Sequence, residues 1–239
     1  MKKSVIFSFL LFSTTLSLVP FVTFSSAFTS ENPIILPTTT DDNGRRPVPT
    51  LPEVLDINGE PLHVSQEYHI LPLTWGAGCG VIDSAKIGNT KCPNAVVLQG
   101  GDAKLGLPVK FFISNGERTA KDVVRETNQI NIMFSIPSTP TCDNGTFWMV
   151  GDPDITARGL RFVLTSRVVL APDGDFTIEK LTKKSPFYKI KHCPSRSICP
   201  TCPCSDVGLT SHGGHRRLAL TKQPLIVVFN KVQKSTTDA

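Results

Sequence analysis

The sequence predicts an all-β domain, either a sandwich or a barrel. Three observations lead there. Apolar residues alternate over short runs, Asn-Gly and Asp-Gly pairs punctuate those runs, and apolar periodicity of the helical kind is hard to find. In chain order, strands are expected at 68–71, 95–98, 109–113, 130–134, 147–150, 162–164, 176–178, 188–190, 218–220 and 225–229. Val109-Lys110-Phe111-Phe112-Ile113 and Ile130-Asn131-Ile132-Met133-Phe134 show the pattern well, with apolar side chains recurring on one face of an extended backbone. Asn115-Gly116, Asn144-Gly145 and Asp173-Gly174 mark turns between neighbours. Asn58-Gly59, between short apolar runs, marks a hairpin, because both residues tolerate the positive φ that such a turn requires.

The chain begins with a segment of a different kind. Lys2-Lys3, an apolar stretch over 5–24 and then Ser25-Ser26-Ala27 read as a secretory signal peptide over 1–27. Thr14, Thr15, Ser17 and Pro20 interrupt the stretch and no basic stop-transfer flank follows, which argues against a membrane anchor. No later stretch approaches the ~20 apolar residues that a helical span needs. Residues 28–52, rich in Pro and Thr and carrying Asp41-Asp42, hold too little apolar surface to bury and are expected to be a disordered propeptide or linker. The rest, 53–239, is one domain's worth of chain. The formal charge is +5, and loss of Lys2 and Lys3 with the leader leaves +3. Apart from His215-Arg216-Arg217 the basic residues are scattered, so neither nucleic acid nor a membrane surface is an expected partner of the mature chain.

Seven cysteines behind a signal peptide make disulfides the default expectation. A zinc site built from His192, Cys193, Cys199, Cys202 and Cys204 competes with that reading, but it lacks a second well-spaced pair and a reducing compartment. No cofactor is implied. The histidines His63, His69, His192, His212 and His215 are dispersed, and no Ser or Cys lies in a nucleophile motif, so the chain carries no catalytic constellation. Asn144-Gly145-Thr146 is the one glycosylation sequon.

Leu55-Asp56-Ile57-Asn58-Gly59-Glu60-Pro61-Leu62, running on to Tyr68-His69-Ile70, resembles the signature of the plant Kunitz-type inhibitors, the soybean trypsin inhibitor family. Lys91-Cys92-Pro93, Gly106-Leu107-Pro108-Val109-Lys110-Phe111 and the stretch from Arg216-Arg217-Leu218-Ala219-Leu220-Thr221 to Phe229-Asn230-Lys231 extend the likeness over 54–232. The resemblance implies a disulfide-stapled β-trefoil of about twelve short strands with pseudo-threefold symmetry. It also implies a non-enzymatic protease inhibitor, of serine type, in plant defence or storage. Cys193-Pro194 and Cys204-Ser205-Asp206-Val207-Gly208 resemble miraculin-like members. The implied disulfides are Cys92–Cys142 and Cys193–Cys204, which leaves Cys199 and Cys202 as an inner pair. Cys79 has no family partner and is either a free thiol or a link between two chains that are otherwise monomers. Asn32-Pro33-Ile34-Ile35-Leu36 resembles the vacuolar sorting determinant of sporamin, another member, and points to the vacuole rather than simple secretion.

Family members of this type insert an exposed, preorganised loop into the protease, which here corresponds to 113–122. Arg118 is the expected primary side chain, with the reactive bond to Thr119. Gly116 occupies the place given by direct register, and Lys121 is the second cation of the loop. Ordinary solvated charges are the competing account of Arg118 and Lys121. The Asn that braces the loop from within in the trypsin inhibitors falls at Val64, which has no side-chain donor, and the stiffening Ser-Pro is missing. Other readings stay open: a storage or stress protein of the same fold, a carbohydrate- or pigment-binding trefoil, and a cysteine protease inhibitor acting through a different loop.

Overall fold

Short alternating runs cannot bury their apolar faces alone, and this chain solves the problem by closing a ring of strands on itself. A computed structural model describes residues 51–64, 66–73, 80–100, 105–113, 122–136, 146–168, 174–183, 185–195 and 198–233. Among these residues lie β1 (Tyr68–Pro72), β2 (Val81–Ala85), β3 (Ala95–Gln99), β4 (Val109–Ile113), β5 (Ile130–Phe134) and β6 (Phe147–Asp154). The series continues with β7 (Leu160–Ser166), β8 (Phe176–Lys180), β9 (Tyr188–His192), β10 (Ser205–His212), β11 (His215–Leu220) and β12 (Ile226–Lys231). A 3-10 turn, Ile155–Ala157, joins β6 to β7.

The pairings form two layers. β1, β4, β5, β8, β9 and β12 bond successively, and β12 returns to β1, which closes a barrel with no free edge. The remaining strands form the hairpins β2–β3, β6–β7 and β10–β11, and their inner strands meet at Ala95↔Leu164, Ala219↔Phe162 and Arg217↔Val97. Tyr68↔Val109, Ile130↔Phe176 and Tyr188↔Val227 repeat one contact three times around the ring. Three four-stranded units arranged in this way are a β-trefoil.

Alternation inside the barrel strands explains the core. Tyr68, Phe111, Phe229, Tyr188, Phe134 and Phe176 are each 1% exposed or less. Their rings contact one another or Trp148, with Phe111 edge-on to Phe229 at 5.7 Å and Phe134 5.6 Å from Trp148. At roughly 1.5–3 kcal/mol per large apolar side chain removed from water, these rings stabilise the barrel together with the aliphatic residues of the same core, such as Leu62, Ile70, Ile130 and Ile132. In β3, Ala95 to Leu98 are all buried, and the strand pairs with β2 along one edge and meets β7 and β11 along the other.

Two strands carry too weak an apolar pattern to be read from the sequence, β2 and β10. Val81-Ile82-Asp83-Ser84-Ala85 and Ser205-Asp206-Val207-Gly208-Leu209-Thr210-Ser211-His212 are half polar, and only their hairpin partners make them strands. Asn58 also departs from expectation. Gly59 alone takes positive φ (+81°), and Asn58 remains on the ordinary side of the map.

Candidate functional site

The signature Asp56 explains the hairpin that the Asn-Gly pair only marks. Asp56 is buried, and its Oδ1 accepts the N–H of Asn58 at 2.8 Å and that of Glu60 at 3.0 Å. Its main chain bonds Glu60 and Gly59 as well. The result is an Asx-type turn closing a short arm, with Leu55 opposite Pro61.

This arm lies across the rim where β1, β5 and β9 begin. There the Tyr188 hydroxyl accepts the Leu55 N–H at 3.0 Å, and the Tyr68 hydroxyl accepts the His63 N–H at 2.9 Å. Burial pushes both phenols above their ordinary range, so they remain neutral. The arm then pairs with the segment entering β5. Val54 N–H bonds Val124 O, Val124 N–H bonds Leu62 O and Leu62 N–H bonds Val54 O, all within 2.9 Å. Val54, Leu62 and Val124 are fully buried, so this small ladder is part of the core. Outside it, Arg125 donates to Leu51 O at 2.8 Å and pairs with Glu53 at 3.0 Å.

These contacts set the two ends of the candidate loop. Ile113 is the last residue of β4 and lies opposite Ile130. Asp122 is the next described residue, and its carbonyl accepts the Val64 N–H at 3.1 Å. Residues 114–121, and with them Gly116, Arg118, Thr119 and Lys121, lie outside the described residues. The Val64 side chain packs against the core, so an Asn there would bring an amide into apolar surroundings; what Val64 gives the loop is its main-chain N–H. In the structure 123–125 turns aside to the arm, and Thr127, at φ +63°, makes the corner back into β5. A β-branched residue rarely takes that conformation, and no sequence signal announced it.

The cysteine cluster forms two nested disulfides, Cys193–Cys204 and Cys199–Cys202. Ser195, fully buried, anchors the loop through its carbonyl, which accepts from Ile198 and Cys199, and its N–H bonds Asp175 at 3.2 Å. His192 packs into the core. It is buried edge-on to Phe176, 5.7 Å away, and burial followed by the nearby Arg161 charge pulls its pKa down to about 4. With their sulfurs in disulfides, the four cysteines offer no thiolates to a metal. Cys92 is disulfide-bonded, while Cys142, Cys79 and Asn144 lie outside the described residues, as do Asn32, Pro33, Ile34 and Leu36.

The described residues form a closed barrel with three hairpins, and both flanks of the candidate loop, Ile113 and Asp122, are hydrogen-bonded to that scaffold. Residues 54–231 match the Kunitz-legume family model, described as trypsin and protease inhibitor. The chain belongs to this family. Its members are protease inhibitors and not enzymes. Cysteine protease inhibitor 8 of Solanum tuberosum is 36% identical over 216 residues, covering 89% of this chain and 90% of that protein. Among solved structures, a Kunitz-type cysteine protease inhibitor from potato shares 38% identity at a TM-score of 0.62, covering 78% of this chain and all of that one. Soybean trypsin inhibitor in complex with porcine pancreatic trypsin shares 25% identity at a TM-score of 0.60, covering 76% of this chain and 99% of the other. Further Solanum tuberosum relatives are named aspartic and serine protease inhibitors.

Proposed function

We propose that this Kunitz protein inhibits a trypsin-like serine protease by substrate-like insertion of residues 114–121, with Arg118 entering an acidic primary pocket and the Arg118–Thr119 bond lying at the nucleophile. The observation that carries this reading is the anchoring of both loop ends, Ile113 in the β4–β5 ladder and Asp122 on Val64. Fixed ends lower the entropy lost on docking and hold the two halves together if the bond is cut, so religation competes with release. With Val64 in place of a bracing Asn, the loop centre lacks one internal tie, and the expected inhibition is weaker than a fully braced loop would give. The reading includes a leader over 1–27 and sorting to the vacuole through Asn32, Pro33, Ile34 and Leu36. The test is titration of trypsin with the mature protein. Inhibition lost on Arg118→Ala supports the proposal; simple digestion at Arg118 or Lys121 without inhibition overturns it.

A second target class has its own support. Three Solanum tuberosum relatives named cysteine protease inhibitors are 36–37% identical to this chain, and five named for aspartic or serine proteases are 33–34% identical. Inhibition of papain by the same purified protein tests this reading.

A further inference from the structure

In the hairpin layer, the β6–β7 turn carries Ile155 with 94% of its surface exposed. No other large apolar side chain among the described residues exceeds 63%. The turn beneath it is tightly held. Asp154 Oδ1 accepts from Thr156 N at 2.8 Å, Thr156 Oγ1 at 2.6 Å and Ala157 N at 3.3 Å, while Gly159 N–H bonds Asp154 O at 2.8 Å. Arg158 takes the left-handed conformation, at φ +56°, and Gly159 follows at +78°. Arg161 Nε reaches back to Gly151 O at 2.9 Å and closes the base. Thr156 Oγ1 also lies 3.2 Å from His212 Nε2 on the neighbouring hairpin. Since the hydroxyl gives its one proton to Asp154, His212 is the donor of that bond. The His212 ring and the Arg217 guanidinium both pack on Phe162, at 5.4 Å and 3.7 Å, behind the turn.

A β-branched side chain held in water at the tip of a rigid turn has its apolar surface and its conformation ready for a pocket, with little entropy left to lose. We infer that the β6–β7 turn is a second protease-contact element, with Ile155 as a wedge that fills an aliphatic pocket in the active-site cleft of a papain-like cysteine protease. The inference rests on the cysteine protease reading above and assigns that activity to a place in the fold. It also implies a mode of inhibition unlike that of the loop. Proteases take substrates in extended form, and the backbone over 155–158 is coiled into a 3-10 turn with a left-handed exit. Its peptide bonds are not presented for attack, so the wedge blocks the cleft without being cleaved.

The test uses the full mature protein against papain, with Ile155→Asp, Asp154→Ala and Arg118→Ala compared to wild type. The expected result is that Ile155→Asp raises the inhibition constant about tenfold or more, as for loss of a central apolar anchor. Asp154→Ala weakens inhibition through a loosened turn, and Arg118→Ala leaves it unchanged. Thermal midpoints control for folding, and Ile155→Asp should not move its midpoint, since the side chain touches almost nothing. Papain inhibition that survives Ile155→Asp intact overturns the wedge while the cysteine protease reading stands. A wild-type protein that leaves papain fully active at micromolar concentration overturns both, and the trypsin assay is independent of either result.

Discussion

The hydroxyl of Tyr188, the first residue of β9, accepts the main-chain N–H of Leu55 at 3.0 Å, although 133 residues separate them. Through that bond the third unit of the trefoil holds the N-terminal arm, and the arm holds the exit of the candidate loop at Asp122. Tyr188→Phe keeps the ring in the core but strands the Leu55 N–H. The expected loss is about 1 kcal/mol, the net worth of one hydrogen bond at a half-buried donor, read from urea unfolding. Loop cleavage by trypsin should quicken in the same variant, because the clamp is looser.

Arg118→Ala is expected to abolish trypsin inhibition with a stability change within about 0.5 kcal/mol, as for surface positions in general. Inhibition titrations and thermal melts on the same samples check both halves. A protein that still inhibits trypsin after this change uses another residue.

Gly174 lies over β5 with φ +83°, and a Cβ there would sit 2.6 Å from the Ile130 backbone nitrogen and carbonyl carbon. Neither the backbone conformation nor the space accepts a side chain. Gly174→Ala should therefore cost at least the 1–3 kcal/mol typical of overpacking, with the left-handed strain added. Chemical denaturation measures it.

His192 gives a pH signature. Its folded pKa, about 4, lies below the ordinary value of 6.5, so between these limits the unfolded chain binds a proton that the folded chain refuses. Stability from this group is intact above about pH 6.5 and falls as the pH drops towards 4, by about 3 kcal/mol at most. The difference in unfolding free energy between pH 7.5 and pH 4.5 should shrink in His192→Gln. An unchanged difference would show that the imidazole is not buried neutral.

The disulfides should rank by the loops they close. Cys193–Cys204 spans a separation of 11 and Cys199–Cys202 only 3, so losing the outer bridge should cost about 1 kcal/mol more on the chain-entropy model. Melts of the paired Cys→Ser variants decide this.

Much of this molecule was legible before any coordinates. The alternation in 109–113 and 130–134 gave the barrel strands and their buried faces, because a strand facing a core needs an apolar residue at every second position. Asn58-Gly59 marked the hairpin, although Gly59 alone takes positive φ and the bonds that close the turn come from Asp56, whose part in it only the structure shows. Tertiary structure alone decided the rest. β2 and β10 are strands only because β3 and β11 supply their hydrogen bonds. That His192 is a buried core residue packed edge-on to Phe176 could not be read from its neighbours in sequence. The clamp on the loop, from Tyr188 to Leu55 and from Val64 to Asp122, joins groups with no sequence relation. Local pattern fixes which face of each strand turns inward, and only closure of the barrel determines which distant backbone groups then meet.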